Sequence, residues 1–157
     1  MQYLATAGGM YQLRGKLLQA GGLYGEYYEN NDLTDHGNVA TSAFNRIDSS
    51  IDFSWGDGGP ATTQELNGKM VGADYFSARW LGMVQPQFSE VHTFSLVADD
   101  GVKLWIDGLL IINFWSRRNL EAEGTIALMG GQLYTIKLEY TESNGNATCI
   151  LKWRSTS

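Results

Sequence analysis

The sequence predicts an all-β fold, an antiparallel sandwich or barrel with about nine or more strands and little helix. Three observations predict it. Apolar and polar residues alternate in runs of roughly five to eight, the period of a half-buried strand. Clusters of Gly, Asn and Asp separate those runs. Aromatic residues reach 12% and glycines number 19 against 2 prolines, a composition of large rings for a thin core and turn residues to join short strands.

The elements follow in order. Residues 1–21 form an arm bounded by Gly8-Gly9 and Gly21-Gly22, in which Tyr11, Leu13 and Leu17 alternate as a short strand would. The arm reads either as a linking or frayed terminus or as a strand added to a sheet edge, in its own or a neighbouring subunit. The main domain spans 22–157 and opens with a strand at Leu23–Tyr28, closed by Asn30-Asn31-Asp32. Ile51–Trp55 puts Ile51, Phe53 and Trp55 on one face and ends at Gly56-Asp57-Gly58-Gly59-Pro60. Residues 75–82 make another strand, and Val91–Ala98 places His92 on the face of Phe94 and Leu96. Val102–Ile106 and Leu109–Phe114 flank Asp107-Gly108, the strongest short hairpin signal. Thr125–Met129, Leu133–Tyr140 and Ala147–Trp153 complete the set. Ala61–Leu66 and Arg118–Glu123 each fit a helical turn, but neither carries an amphipathic stripe.

Composition and charge exclude several functions. With 17 acidic against 11 basic residues the net charge is −6, and the adjacent pair Arg117-Arg118 is too small a patch to hold nucleic acid. No stretch approaches the ~20 apolar residues of a membrane span, so no membrane insertion is expected. Met1–Ala20 lacks the charged and apolar regions of a signal peptide. A lone cysteine, Cys149, forms no internal disulfide; in its apolar strand it reads as a buried, inert thiol. No P-loop, HExxH or Ser-His-Asp order is present, and His36 and His92 read as loop and strand residues. Glycosidases place two carboxylates ~5–9.5 Å apart across a cleft, a geometry for which adjacent aspartates are poorly suited. The expectation is a protein without catalytic activity of its own.

Several motifs occur in a recognisable order. They are Gly22-Leu23-Tyr24-Gly25-Glu26-Tyr27-Tyr28, Arg46-Ile47-Asp48 with Ile51-Asp52-Phe53-Ser54-Trp55, and Phe76-Ser77-Ala78-Arg79-Trp80-Leu81-Gly82. The longest runs from His92 through Asp99-Asp100-Gly101-Val102-Lys103-Leu104-Trp105-Ile106 to Asp107-Gly108, followed by Gly131–Tyr140 and Leu151-Lys152-Trp153. In these residues the chain resembles the PA14 domain family, a β-barrel module of a bacterial toxin component, of glycosidases and of adhesins. The resemblance covers residues 22–153. It departs at Asn113, where the family often has Asp, and at Ser116-Arg117-Arg118-Asn119, which is shorter than the accessory loops of some adhesins.

Two adjacent carboxylates at a strand end repel each other unless a cation neutralises them, and Ca²⁺ takes 6–8 oxygen ligands. In the carbohydrate-binding members of the family such a pair is joined by a cis peptide, holds Ca²⁺ and presents it to two sugar hydroxyls. The resemblance therefore implies calcium at Asp99 and Asp100. The other reading is a turn in which both side chains bond local amides. The loop Glu142-Ser143-Asn144-Gly145-Asn146 offers further ligands: Asn144 first, with Asn146 and Glu142 as substitutes, or else an ordinary Gly/Asn turn. Asn146-Ala147-Thr148 also matches a glycosylation sequon. Trp115 reads equally as a core ring or as a platform for a sugar face, whereas Trp55, Trp80, Trp105 and Trp153 read as core. Arg117 and Arg118 read as donors to sugar hydroxyls or as a solvated loop.

The expected function is a calcium-dependent lectin-like or adhesion module for glycans or cell-surface saccharides, at an extracellular or cell-surface location. The alternative is a structural subunit that self-associates through residues 1–21. A third reading is the accessory domain of a hydrolase.

Overall fold

A computed structural model describes residues 21–33, 42–60, 71–116 and 119–157, together with the backbone of 11–13 and 16–18. The short strands β1 (Tyr11–Leu13) and β2 (Lys16–Leu18) pair antiparallel with each other. The arm thus holds a hairpin where the sequence suggests one short strand. The main domain contains β3 (Leu23–Tyr28), β4 (Phe44–Asp48), β5 (Asp52–Gly56), β6 (Phe76–Val84) and β7 (Glu90–Asp99). It continues with β8 (Gly101–Ile106), β9 (Leu109–Phe114), β10 (Leu120–Leu128), β11 (Tyr134–Glu142) and β12 (Ala147–Arg154). These ten form a four-stranded sheet, in the order β10-β7-β12-β5, and a six-stranded sheet, in the order β4-β3-β6-β11-β8-β9. Every pairing is antiparallel.

The inward faces of the two sheets form one core. Phe94, Leu96 and Ala98 of β7 and Cys149, Leu151 and Trp153 of β12 join Phe76, Ala78 and Trp80 of β6 and Ile136, Leu138 and Tyr140 of β11. A succession of rings runs through it. Phe44 stacks on Tyr27 at 4.6 Å, Tyr27 meets Trp80 edge-on at 5.8 Å, and Trp80 stacks on Phe53 at 5.7 Å. Phe53 stacks on Trp55 at 4.7 Å, Trp55 meets Phe76 at 5.5 Å, and Phe76 reaches Tyr140 at 5.8 Å. Such pairs each add about 0.5–1.5 kcal/mol beyond the area they bury. The β8–β9 hairpin turns as expected, with Asp107 at φ 50° and Gly108 at φ 79°, the paired positive values of a tight hairpin turn.

Three expectations change. The strand β4 was not foreseen, because its inward residues are Phe44, Arg46 and Asp48 while Ile47 points outward and is 43% exposed. A strand that buries a charged pair inverts the hydrophobic alternation. Residues 120–123 are not a helical turn: β10 starts at Leu120, opposite Ala98, and buries the small residues Ala122 and Gly124. Trp105 leaves the core for the outer face, where Lys137 Nζ lies 3.6 Å from its ring centre. His92 is fully buried, stacked on Trp153 at 5.2 Å, with Nδ1 3.0 Å from the Glu90 carbonyl. Cys149 is buried as expected, and burial pushes its thiol pKa up. Ala61–Leu66, His36, Arg117 and Arg118 lie outside the described residues.

Candidate functional site

Two crossings between the sheets meet at one end of the sandwich. The chain leaves the four-stranded sheet at Asp99 and enters the six-stranded sheet at Gly101, and it returns between Glu142 and Ala147. Register places the crossings side by side, with Thr148 opposite Asp99 and Thr141 opposite Gly101. Gly101 is needed for this approach, since a Cβ there would sit 2.1 Å from the Trp115 carbonyl oxygen and 2.8 Å from Thr141 Cγ2. The Asp99–Asp100 peptide is cis, as the resemblance implies.

The loops are tied to the carboxylates. Asp100 is buried, and its Oδ2 accepts from the Ser143 amide at 2.8 Å. Asp99 is half-buried; its Oδ1 accepts from the Asn119 amide at 3.3 Å and its carbonyl accepts from the Tyr140 hydroxyl. From the segment before β6, the Tyr75 amide donates to the Ser143 carbonyl at 3.1 Å, and Asp74 Oδ1 accepts from the Gly145 amide at 3.1 Å. Part of the turn reading is therefore present: these aspartates do bond backbone amides.

Amide bonds do not neutralise the cluster. Glu142, at the end of β11, is 0% exposed. Its Oε2 lies 3.1 Å from the Tyr140 hydroxyl, whose single hydrogen also faces the Asp99 carbonyl. Its Oε1 is buried and finds no hydrogen-bond partner among the described residues. Burial, followed by the negative charges of Asp100, Asp99 and Asp74, lifts the Glu142 pKa from 4.5 to about 7. Burial also pushes the Tyr140 phenol up, so it remains an O–H donor.

This environment suits a hard cation. A buried carboxylate oxygen lacks a donor, several carboxylates repel one another, and the donor set is oxygen throughout. No three His, Cys, Asp or Glu side chains among the described residues converge closely enough to hold a metal on their own. A calcium ion here would need backbone carbonyls, amide oxygens or water as well, as Ca²⁺ sites commonly do.

The sequence-selected residues divide accordingly. Asp99 and Asp100 stand at the cluster, and Asn144 and Asn146 are exposed in the loop that Ser143 anchors. Trp115 adjoins Gly101 through its carbonyl, and Lys103 Nζ lies 4.8 Å from its half-buried ring. Tyr75 was missed. It reads in sequence as the first residue of a strand, but it lies before β6 at φ 56°, is 58% exposed, and sits on the segment bonded to Ser143. Asp74 was missed as well, because nothing local in the sequence connects it with Asp100.

A family model described as the PA14 domain matches residues 19–157. The anti-sigma-I factor RsgI3 of Acetivibrio thermocellus is 42% identical over 137 residues, covering 87% of this chain and 19% of its own length. A solved anti-sigma factor domain-containing protein from Clostridium clariflavum is 41% identical with a TM-score of 0.73, over 87% of this chain and 42% of that one. The PA14 sugar-binding domain from an RTX adhesin is 18% identical with a TM-score of 0.66, over 85% of this chain and 89% of that one. The last likeness is one of fold alone. The chain spans about a fifth of the curated anti-sigma factor it matches.

Proposed function

The chain belongs to the PA14 domain family, and on that premise we propose that it is a non-catalytic carbohydrate-binding module that uses Ca²⁺ at the Asp99–Asp100 cluster. The observation that carries the proposal is the buried carboxylate of Glu142 where the sheets cross, whose Oε1 has no hydrogen-bond partner among the described residues and whose pKa is raised. Asp99, Asp100 and Glu142 would hold the ion, with Asn144 of the adjoining loop as an exposed amide ligand. Bound calcium supplies coordination positions for two neighbouring sugar hydroxyls. The protein's own residues hold the carboxylates in place through the Ser143 and Asn119 amides and the Tyr140 hydroxyl. Tyr75 offers an apolar ring for the C–H face of the sugar beside the loop, a role its exposure supports better than the Lys103-covered ring of Trp115. The fold is one that an RTX adhesin uses to bind sugar. The likeness to segments of anti-sigma factors, proteins not named as hydrolases, is compatible with a binding role.

Calorimetry tests this. Calcium titrated into chelator-treated protein is expected to bind and to raise the melting temperature, by about 2.7 kcal/mol of stability at a hundred times its Kd. Asp100→Asn is expected to weaken calcium at least about tenfold and to abolish heats from simple sugars in excess calcium. Absence of calcium binding to the folded wild-type protein would end the proposal.

A further inference from the structure

The cluster adjoins a depression on the outer face of the four-stranded sheet. A hollow of about 250 Å³ is lined by Val97, Asp99, Asn119, Glu121 and Thr148 among others. A second, of about 380 Å³, is lined by Ser95, Val97, Glu121 and Glu123 together with Leu96 and Ala122. Both are bounded by Val97 and Glu121, so they lie end to end along the β7–β10 pair, starting at Asp99. The register explains the shape: Val97 stands opposite Glu121 and Ser95 opposite Glu123, so an apolar side chain lies between rows of polar ones. Val97 is 39% exposed and supplies an apolar floor common to both hollows. Each hollow is near or below the lower end of the ~300–1,000 Å³ typical of small-molecule sites, and together they have the length of a short chain rather than a single ring.

The walls also carry charge information. Glu123 is bonded to Arg154 Nη1 at 2.8 Å and to the Ser95 hydroxyl at 2.9 Å, which fixes one carboxylate at the rim. Those partners pull its pKa down, Arg154 first and Ser95 next, so it stays ionised as a wall. Glu121 is exposed beside it. Arg154 compensates Glu123, so it is the negative charge of Glu121 that repels uronic or sialic acids on this side, while hydroxyl groups find an acceptor in Glu121 and a donor in Thr148.

We propose that this groove is an extended subsite for a linear, neutral oligosaccharide. One residue of the glycan is anchored at the Asp99 end, and the next residues lie over Val97 between the β7 and β10 side chains. The inference rests on the calcium-anchored sugar reading for the position of the first residue, but the groove and its charge are separate observations. It assigns the protein to chain glycans, and it places selectivity against acidic polymers on Glu121.

The test uses isothermal titration with gluco-, manno-, xylo-, arabino- and galacto-oligosaccharides of one to four residues, with oligogalacturonides as the acidic control. Each series is run in excess calcium and in chelator. For a series that binds, the tetrasaccharide is expected to bind at least about tenfold more tightly than the monosaccharide, the oligogalacturonides not at all. Val97→Arg, whose long side chain fills the groove beside Glu121, is expected to erase that gain while leaving the monosaccharide affinity within about twofold. Val97→Ala, which keeps the groove open and cannot crowd the sheet, is expected to retain most of the gain. Equal affinity of one- and four-residue sugars overturns the groove and leaves the calcium reading intact. A chain-length gain that survives Val97→Arg overturns it too, as does tighter binding of the oligogalacturonides. If the gain and its loss in Val97→Arg are the same with chelator, the groove stands and the calcium anchor falls.

Discussion

Asp48 and Glu142 are both buried carboxylates on strands of the six-stranded sheet, and their surroundings are opposite in charge. Asp48 accepts from the Tyr27 hydroxyl at 2.5 Å, from Trp80 Nε1 at 2.8 Å and from Arg46 Nε at 2.6 Å. The Arg46 guanidinium also lies 4.8 Å from the Tyr27 ring centre and donates to the Pro60 carbonyl at 3.3 Å. Glu142 shares one phenol hydrogen with a carbonyl, leaves an oxygen without a donor among the described residues, and faces further negative charge. A buried charge is tolerated when paired and hydrogen-bonded, and is costly otherwise. The Asp48 site is complete within the chain. The Glu142 site is incomplete among the described residues, and under the proposed function a cation would complete it.

The largest effect that follows is at the complete site. Asp48→Ala strands a guanidinium, an indole N–H and a phenol in the core, and breaking such a pair typically costs about 3–5 kcal/mol. Chemical denaturation is expected to show that loss equally in calcium and in chelator. A loss below about 1 kcal/mol, or one that calcium restores, would break the contrast between the two carboxylates.

The next effect has the opposite sign. The Glu142 pKa rises from 4.5 to about 7 on folding, so folding takes up a proton between those values. The stability from this group is fully present below about 4.5 and is lost as pH rises through about 7. The ceiling on that loss is about 3 kcal/mol, at 1.36 kcal/mol per pKa unit. Glu90 does not confuse the window: hydrogen bonds, first from Thr156, lower its pKa to about 2, so its contribution is lost only below 4.5. In chelator the melting temperature is expected to fall between pH 5 and pH 7.5, and Glu142→Gln is expected to flatten that slope and to stabilise the protein at pH 7.5. Removing one buried carboxylate thus strengthens the metal-free fold where removing the other weakens it. Identical slopes for wild type and Glu142→Gln would show that Glu142 is as well satisfied as Asp48.

The same contrast explains how far the sequence could be read. Nine of the ten main-domain strands were visible because apolar and aromatic residues mark one face, and Asp107-Gly108 marked its hairpin by turn chemistry. The strand Phe44–Asp48 was invisible because it buries Arg46 and Asp48, which only a finished core can explain. At the site, Asp99-Asp100 was legible as adjacent charges in a family motif. The importance of Glu142 and the placement of Asp74 and Tyr75 were not. They arrive through the β11–β12 crossing and the segment before β6, and the hydrogen bonds that gather them link residues distant in sequence. Trp105 misled for a simpler reason. Alternation tells which residues share a face but not which face is covered, and its ring lies under Lys137 on the outer one.

The smallest effect on stability is also the sharpest test of where the incomplete site ends. The Ser143 amide bonds Asp100, and the loop continues through Asn144 and Gly145, whose amide bonds Asp74, before Ala147 starts β12. Asn144 thus lies between two points where the loop is tied to carboxylates, whereas Asn146 follows both. Both side chains are exposed, so neither truncation should change metal-free stability by more than about 0.5 kcal/mol. Asn144→Ala is nevertheless expected to weaken calcium about tenfold, the scale of one lost ligand at about 1.4 kcal/mol, with Asn146→Ala unchanged. Calorimetry in parallel with thermal melts separates the two quantities. The reverse ranking would move the ligand to Asn146 and shift the binding edge toward β12 and Thr148; equal, wild-type affinity in both variants would confine the ion to Asp99, Asp100, Glu142 and the backbone.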